Sequence, residues 1–242
     1  MRLSVVGTGS SGNSYVLSDK NKNVLILDAG MSAKKIMAYI ENDSNICGCC
    51  VGHEHKDHSR AVFDLALRGV RIGASAGTIN TIGADKTVNV ESLRAQQTYA
   101  YGVYTVMPFK VQHDAEEPFG FLVRHRETKE TLLYVTDTYY LRNTFPGVMY
   151  WIIECNYVDA DSLLGLEMNR RLRLMQSHMS LARLKQTLAA NDLRQTMKIV
   201  LVHLSDSNSD EERMVSEIEK LTGIETIAAR AGMEISLSEN PF

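Results

Sequence analysis

The N-terminal stretch alternates short apolar blocks with polar turns. Leu3-Ser4-Val5-Val6, Tyr15-Val16-Leu17 and Val24-Leu25-Ile26-Leu27 are β-prone, while positions 7–14 and 19–23 between them are rich in glycine, serine and asparagine. No apolar stripe at i, i+3, i+4, i+7 fits between the blocks, so no crossover helix joins them. The pattern predicts strand, glycine turn, strand, polar turn, strand: an antiparallel meander. Positions 45–51 read as another strand. Positions 59–69 read as a helix with Ser59 as N-cap, Val62, Phe63, Ala66 and Leu67 on one face, and Gly69 as the stop. Positions 32–41 form a similar helix. Strands dominate from 104 to 135, notably 119–123 and 131–135, and 151–154 is one more. Helices return near 159–175, 180–190 and 210–221, with 198–202 a buried strand between the last two. Each half runs through several strands and closes with helices, which predicts two sheets packed face to face with helices outside.

The chain has 242 residues, of ordinary composition, and no tract rich in Pro, Gly and Ser divides it. A single domain over 1–242 is expected. No apolar run approaches the ~20 residues of a membrane span and no signal-peptide pattern opens the chain, so a cytoplasmic protein away from membranes is expected. Cys47, Cys49 and Cys50 crowd one strand and Cys155 stands apart; they read as small buried hydrophobes in a reducing compartment. The net charge of −3 argues against a long nucleic-acid substrate, which usually calls for a basic face.

Gly7-Thr8-Gly9-Ser10-Ser11-Gly12 fits G-x-G-x-x-G, with an acid, Asp28, at the end of the next strand but one. A dinucleotide loop needs a helix starting at the third glycine, because the pyrophosphate sits on its free N–H groups. The meander supplies none, and that reading fails. The specific chemical signal is Val51-Gly52-His53-Glu54-His55-Lys56-Asp57-His58, at a strand end and before a helix. Three imidazoles and a carboxylate within six residues suit a pair of zinc ions. His53 and His55, two apart on extended chain, point the same way and share one metal. Asp57 and His58 lie past the bend and reach the second.

H-x-H-x-D-H is the signature of the metallo-β-lactamase fold, and this copy resembles its hydrolase branch. The resemblance implies an α/β architecture, an αββα sandwich of two mixed sheets with outer helices. It implies two divalent ions, most readily Zn2+ with Mn2+ as the alternative. The family's further ligands follow in order: His113 resembles the third ligand of the first metal, Asp137 the bridging carboxylate and His203 the final ligand of the second. Asp28 falls where the family has a structural aspartate that orients the metal loop. The first hairpin's turn borders the metal site in the family, which makes Ser10, Ser11 and Asn13 candidate substrate contacts. His178, before a helix capped by Ser180, resembles the histidine that phosphodiesterase members carry to protonate a leaving oxygen. Asp57 and His178 are thus the residues expected to carry the chemistry. His125 matches nothing in the pattern and is expected at the surface.

Ile153-Glu154-Cys155-Asn156, the arginine-rich 169–173 before His178 and the glycine loop at the start resemble the bacterial WalJ-type subgroup. That subgroup includes proteins described as exonucleases and is close to the anti-Pycsar phosphodiesterases, which open cyclic mononucleotides. Asn156-Tyr157 and Gln176-Ser177-His178 depart from the usual WalJ pattern. With the acidic net charge they favour a cyclic mononucleotide, opened at its 3′,5′ ring, as the small-molecule partner; the alternative is a 5′–3′ exonuclease acting on DNA. Arg170, Arg171 and Arg173 read as a charged helix face, with phosphate binding by them and Lys56 as the alternative. The family also implies a homodimer.

Overall fold

The first three strands pair as the meander requires: β1 (Arg2–Gly7) with β2 (Ser14–Ser18), and β2 with β3 (Asn23–Leu27), all antiparallel. This is a computed structural model, and it describes residues 1–205 and 207–237. Among the described residues the strands fall into two mixed sheets of seven each. The chain gathers into two compact units: Met1–Lys110 and Ala115–Glu130 with the stretch that starts at Arg230, and Val111–Asp114 with Thr131–Ala229.

In the first unit β4 (Asn45–Cys50), β5 (Ile72–Ser75) and β6 (Val90–Leu93) continue the sheet in parallel from β3, and β14 (Glu234–Ser236) closes the other edge against β1. Parallel neighbours need crossovers. α1 (Ala33–Met37), then α2 (Lys56–Ser59) with α3 (Val62–Leu67), then α4 (Ala76–Ile82) supply them. Ile36, Val62, Leu65, Ala66 and Ile79 from these helices bury against Val16, Val24, Ile26, Cys49 and Ile72 of the sheet. The remaining strands of the unit, β7 (Tyr99–Tyr101), β8 (Tyr104–Lys110) and β9 (Phe119–His125), form an antiparallel run. Tyr101 Oη donates to Glu91 Oε1 at 2.6 Å, and Tyr104 Oη to the Asn23 carbonyl at 2.9 Å. Gly48 sits between the clustered cysteines because a Cβ there would lie 2.5 Å from the Tyr101 ring. All four cysteines are free, with Cys49, Cys50 and Cys155 buried.

Three sequence expectations need correction in this unit. Ser59 does not cap a long helix: it ends α2, its hydroxyl donates to the Glu54 carbonyl at 2.7 Å, and α3 starts afresh after Ala61. The break rotates the buried face to Val62, Leu65 and Ala66 and leaves Phe63 and Leu67 exposed. His125 is 1% exposed. Strand alternation turns it inward while Arg124 faces out, and its Nε2 meets Asp19 Oδ2 at 3.1 Å under the edge of Tyr104.

The second unit is built on four parallel strands, β10 (Thr131–Val135), β11 (Tyr150–Glu154), β12 (Lys198–Val202) and β13 (Glu225–Ala228). The near-continuous apolar sequence of β10, β11 and β12 fits strands covered on both faces. α5 (Met168–Ser177) and α6 (Leu181–Ala189) lead from β11 to β12, and α7 (Glu211–Thr222) from β12 to β13. The helix expected over 159–175 is shorter: a 3₁₀ turn, Asp161–Leu163, and Gly165 precede α5. Among the described residues no helix is long and apolar enough to cross a membrane.

Candidate functional site

In parallel sheets, loops at the carboxyl ends of adjacent strands converge, and ligands bind there. Both units place their candidate residues at such ends.

In the first unit, Asp28 follows β3 and the His53–His58 loop follows β4, its parallel neighbour. Asp28 is fully buried, with φ of 60°. Its Oδ2 lies 2.7 Å from His58 Nδ1 and its Oδ1 accepts the Gly52 N–H at 2.7 Å. A carboxylate accepts only, so Nδ1 carries the proton and His58 Nε2 is the nitrogen with the lone pair. Asp57 Oδ2 is 3.6 Å from that Nε2. His53 Nε2 and His55 Nδ1 converge to 3.0 Å. Two nitrogens on one tetrahedral zinc, each about 2.0–2.1 Å from it, would be about 3.3 Å apart.

The glycine hairpin turn braces this loop from behind. Asn13 N–H donates to the Asp57 carbonyl at 2.7 Å, and Gly30 N–H to the Asn13 carbonyl at 2.9 Å. A Cβ on Gly30 would lie 1.7 Å from the Asp57 oxygen, so only glycine fits. Asn13 is fully buried; its amide holds Gly9 and approaches His58 Nε2 to 3.0 Å. Ser10 and Ser11 are exposed.

In the second unit the register aligns Val135 with Ile153 and Glu154 with Val202, so Asp137, Glu154 and His203 emerge side by side. Asp137, Glu154, His178 and His203 bring ligand atoms within 4.8 Å of one another. Asp137 and His203 have φ of 31° and 54°, left-handed conformations uncommon outside glycine. Such backbone strain recurs where a side chain must be aimed at a site. Glu154 carries no role in the sequence reading. It is fully buried and meets His178 Nδ1 at 2.6 Å and His203 Nδ1 at 3.0 Å, and it accepts the N–H groups of Thr138 and Met179. The available signal is a carboxylate ending an otherwise apolar buried strand, a residue type almost never fully buried unless paired.

His178 itself caps α5 at its C-terminus and stacks on His203 with ring centroids 5.1 Å apart. Burial lowers its pKa, but the Glu154 charge and hydrogen bond outweigh it and push the pKa up to about 9. Burial likewise raises Glu154, and His178 and His203 overcome it to hold the carboxyl below its ordinary value. His113 differs: burial dominates and lowers its pKa. Its Nδ1 faces the Ser177 carbonyl at 2.9 Å, which leaves Nε2 with the lone pair, 3.5 Å from Asp137 Oδ2. His58, His113 and His203 thus each have Nδ1 tied to an oxygen acceptor. Metal-bound histidines are oriented in this way, and the nitrogen and carboxylate donors fit a divalent ion such as zinc.

A family model described as "Beta-lactamase superfamily domain" matches residues 23–204. The chain is 27% identical over 230 residues to exodeoxyribonuclease WalJ of Streptococcus pneumoniae, covering 87% of this chain and 84% of that one. It is 29% identical over 230 residues to exodeoxyribonuclease YycJ of Bacillus anthracis, covering 88% and 85%. Among solved structures, the metallo-β-lactamase fold protein YhfI of Bacillus subtilis is similar at a TM-score of 0.75 and 15% identity, covering 97% of this chain and 98% of that one. With two mixed sheets, flanking helices and histidine–aspartate clusters at the strand ends, the chain belongs to the β-lactamase superfamily and has the metallo-β-lactamase fold.

Proposed function

We propose that this hydrolase is a metal-dependent phosphodiesterase that degrades DNA from an end. The observation that carries the reaction class is the hydrogen bond from His178 to the buried Glu154, beside Asp137 and His203. Following the family's ligand order, His53, His55, Asp57 and His58 of the first unit and His113, Asp137 and His203 of the second are the residues that would hold divalent ions. Divalent ions held by these residues would polarise a phosphodiester and lower the pKa of water toward neutrality. His178 supplies the proton for the leaving oxygen. Its Nδ1 is turned to Glu154, so Nε2 is the donor, and Glu154 keeps the ring charged until the proton is given up. Asp28 fixes the tautomer of His58. Ser10 and Ser11, exposed on the hairpin turn, would meet substrate, while buried Asn13 braces the loop.

The choice of DNA over a cyclic mononucleotide is supported by the WalJ and YycJ relatives, both named exodeoxyribonucleases. The acidic net charge, which favours the small substrate, is an average over the whole surface and leaves room for a local basic element. The test is zinc-loaded protein with labelled linear and circular single strands and with cyclic mononucleotides. Shortening of the linear strand alone is the expected result. Cutting of the circle would mean an endonuclease, and opening of cyclic mononucleotides with both strands intact would restore the small-substrate reading.

A further inference from the structure

Of the ten residues of α5, only Ser177 is buried. The helix carries Arg170, Arg171 and Arg173 and no acidic residue, in a chain whose net charge is −3. Arg173 pairs with Asp114 at 2.6 Å; among the described residues Arg170 and Arg171 meet no carboxylate. A solvated charged face explains arginines but not the apolar stripe between them. Met168, Leu172 and Met175, at i, i+4 and i+7, are 72%, 50% and 38% exposed. The helix ends directly on His178.

On the far side of His178 in the chain, Arg183 of α6 holds its guanidinium carbon 5.5 Å from the Tyr139 ring centroid and 5.9 Å from that of Tyr140. The two rings lie 6.5 Å apart, and Tyr140 is 39% exposed. They follow Asp137 and Thr138 without interruption.

Arginines without carboxylate partners, an exposed apolar stripe and an open aromatic ring all attend the same cluster. Duplex DNA presents phosphates but hides its base faces; a single strand presents both, and stacks its bases on aromatic side chains. We infer that α5 and the Tyr139–Tyr140–Arg183 cluster grip the single-stranded end of a DNA chain, with Arg170, Arg171 and Arg183 on phosphates and Tyr140, Met168 and Leu172 against unpaired bases. This rests on the reading of the chain as a DNA phosphodiesterase. It adds that strand engagement is local to the helix leading into His178, which is how a protein of acidic net charge can hold a polyanion.

The test is anisotropy binding of zinc-loaded protein to a labelled phosphorothioate single strand over a salt series. Variants are Arg170→Ala/Arg171→Ala, Tyr140→Ala and a charge-matched control, Arg68→Ala/Arg124→Ala, at exposed arginines of the other unit. Two lost phosphate contacts reduce the slope of log K against log salt by about 1.4. Tyr140→Ala weakens binding about tenfold with the slope unchanged, as loss of one stacked base requires. The control leaves affinity and slope at wild-type values. Thermal midpoint and zinc content within error of wild type confirm that each variant folds. Wild-type affinity and slope in the α5 double variant, or an equal loss in the control, would overturn the inference while leaving the DNA reading standing. Equal affinity of the wild type for duplex and single strand would also overturn it. A wild-type protein that binds no DNA and opens cyclic mononucleotides would overturn both.

Discussion

The His53–His58 loop and the Asp137–Glu154–His178–His203 cluster are both built from imidazoles and carboxylates at the carboxyl ends of parallel strands, yet they are assembled in opposite ways. The first is one contiguous segment. Its geometry is imposed from outside, by Asp28 on His58 Nδ1 and by Asn13 and Gly30 against the Asp57 carbonyl. The second draws each residue from a different element, and its geometry comes from within, through Glu154, which meets both His178 and His203. The contiguous motif depends on its backing; the dispersed cluster depends on the carboxylate that its two imidazoles share.

The largest effect should come from the dispersed cluster. His178→Ala is expected to lower turnover on DNA by about 10²–10⁴-fold, with folding and metal content near wild type. On an activated nitrophenyl diester, whose leaving group needs little help from an acid, the loss should be far smaller. Equal losses on both substrates would make His178 a structural residue.

In the contiguous loop the corresponding weak point is backbone. Gly30→Ala puts a methyl 1.7 Å from the Asp57 oxygen, which forces the loop to shift. A cost of about 1–3 kcal/mol, the usual range for overpacking, is expected. It should appear as a lower thermal midpoint together with weaker metal binding, since the atom displaced belongs to a proposed ligand. A midpoint unchanged from wild type would show that the brace is slack. Asp28→Ala removes the acceptor from His58 Nδ1 and should weaken metal affinity by about 10–100-fold, read by competition with a chromophoric chelator. Asp57→Ala should instead lower occupancy at one of the two proposed ions, read by elemental analysis.

The contrast also sets what was legible in the sequence. The loop could be read directly because its ligands are consecutive and their spacing carries the chemistry. His113, Asp137 and His203 were reached only through family order, since a lone histidine or aspartate after a strand has no local signature. Glu154 has no local signature because its meaning lies in four partners 16 to 49 positions away. The strands of the meander and of the parallel core followed from apolar runs. The short strands β5, β6 and β7 and helix α4 lay in a stretch where no strong period stands out. Ser59 misleads for a similar reason: a serine before an apolar run looks like a cap, but the His53–His58 loop already starts the helical turn at Lys56.

A smaller effect is expected in pH dependence. With His178 held up to about 9 by Glu154, the proton donor is present at neutral pH and activity should fall as pH rises through about 9. The same pair stabilises the metal-free fold. That contribution is complete below the unfolded histidine value of about 6.5 and is lost as pH climbs through about 9. Glu154→Gln removes the charge that raises His178, so the alkaline limb should move to lower pH. An unmoved limb would mean that another group sets it.

The central claim, that the two clusters serve hydrolysis of DNA from an end, is tested most directly by specificity constants. A 5′-phosphorylated single-stranded oligonucleotide should be compared with cyclic CMP, UMP, AMP and GMP between roughly 50 and 200 mM salt, a range over which contacts to several phosphates weaken strongly. The account predicts that the oligonucleotide is the better substrate, shortened stepwise, with a specificity constant that falls steeply as salt rises. Faster, salt-insensitive opening of a cyclic mononucleotide, with the oligonucleotide left intact, would contradict it.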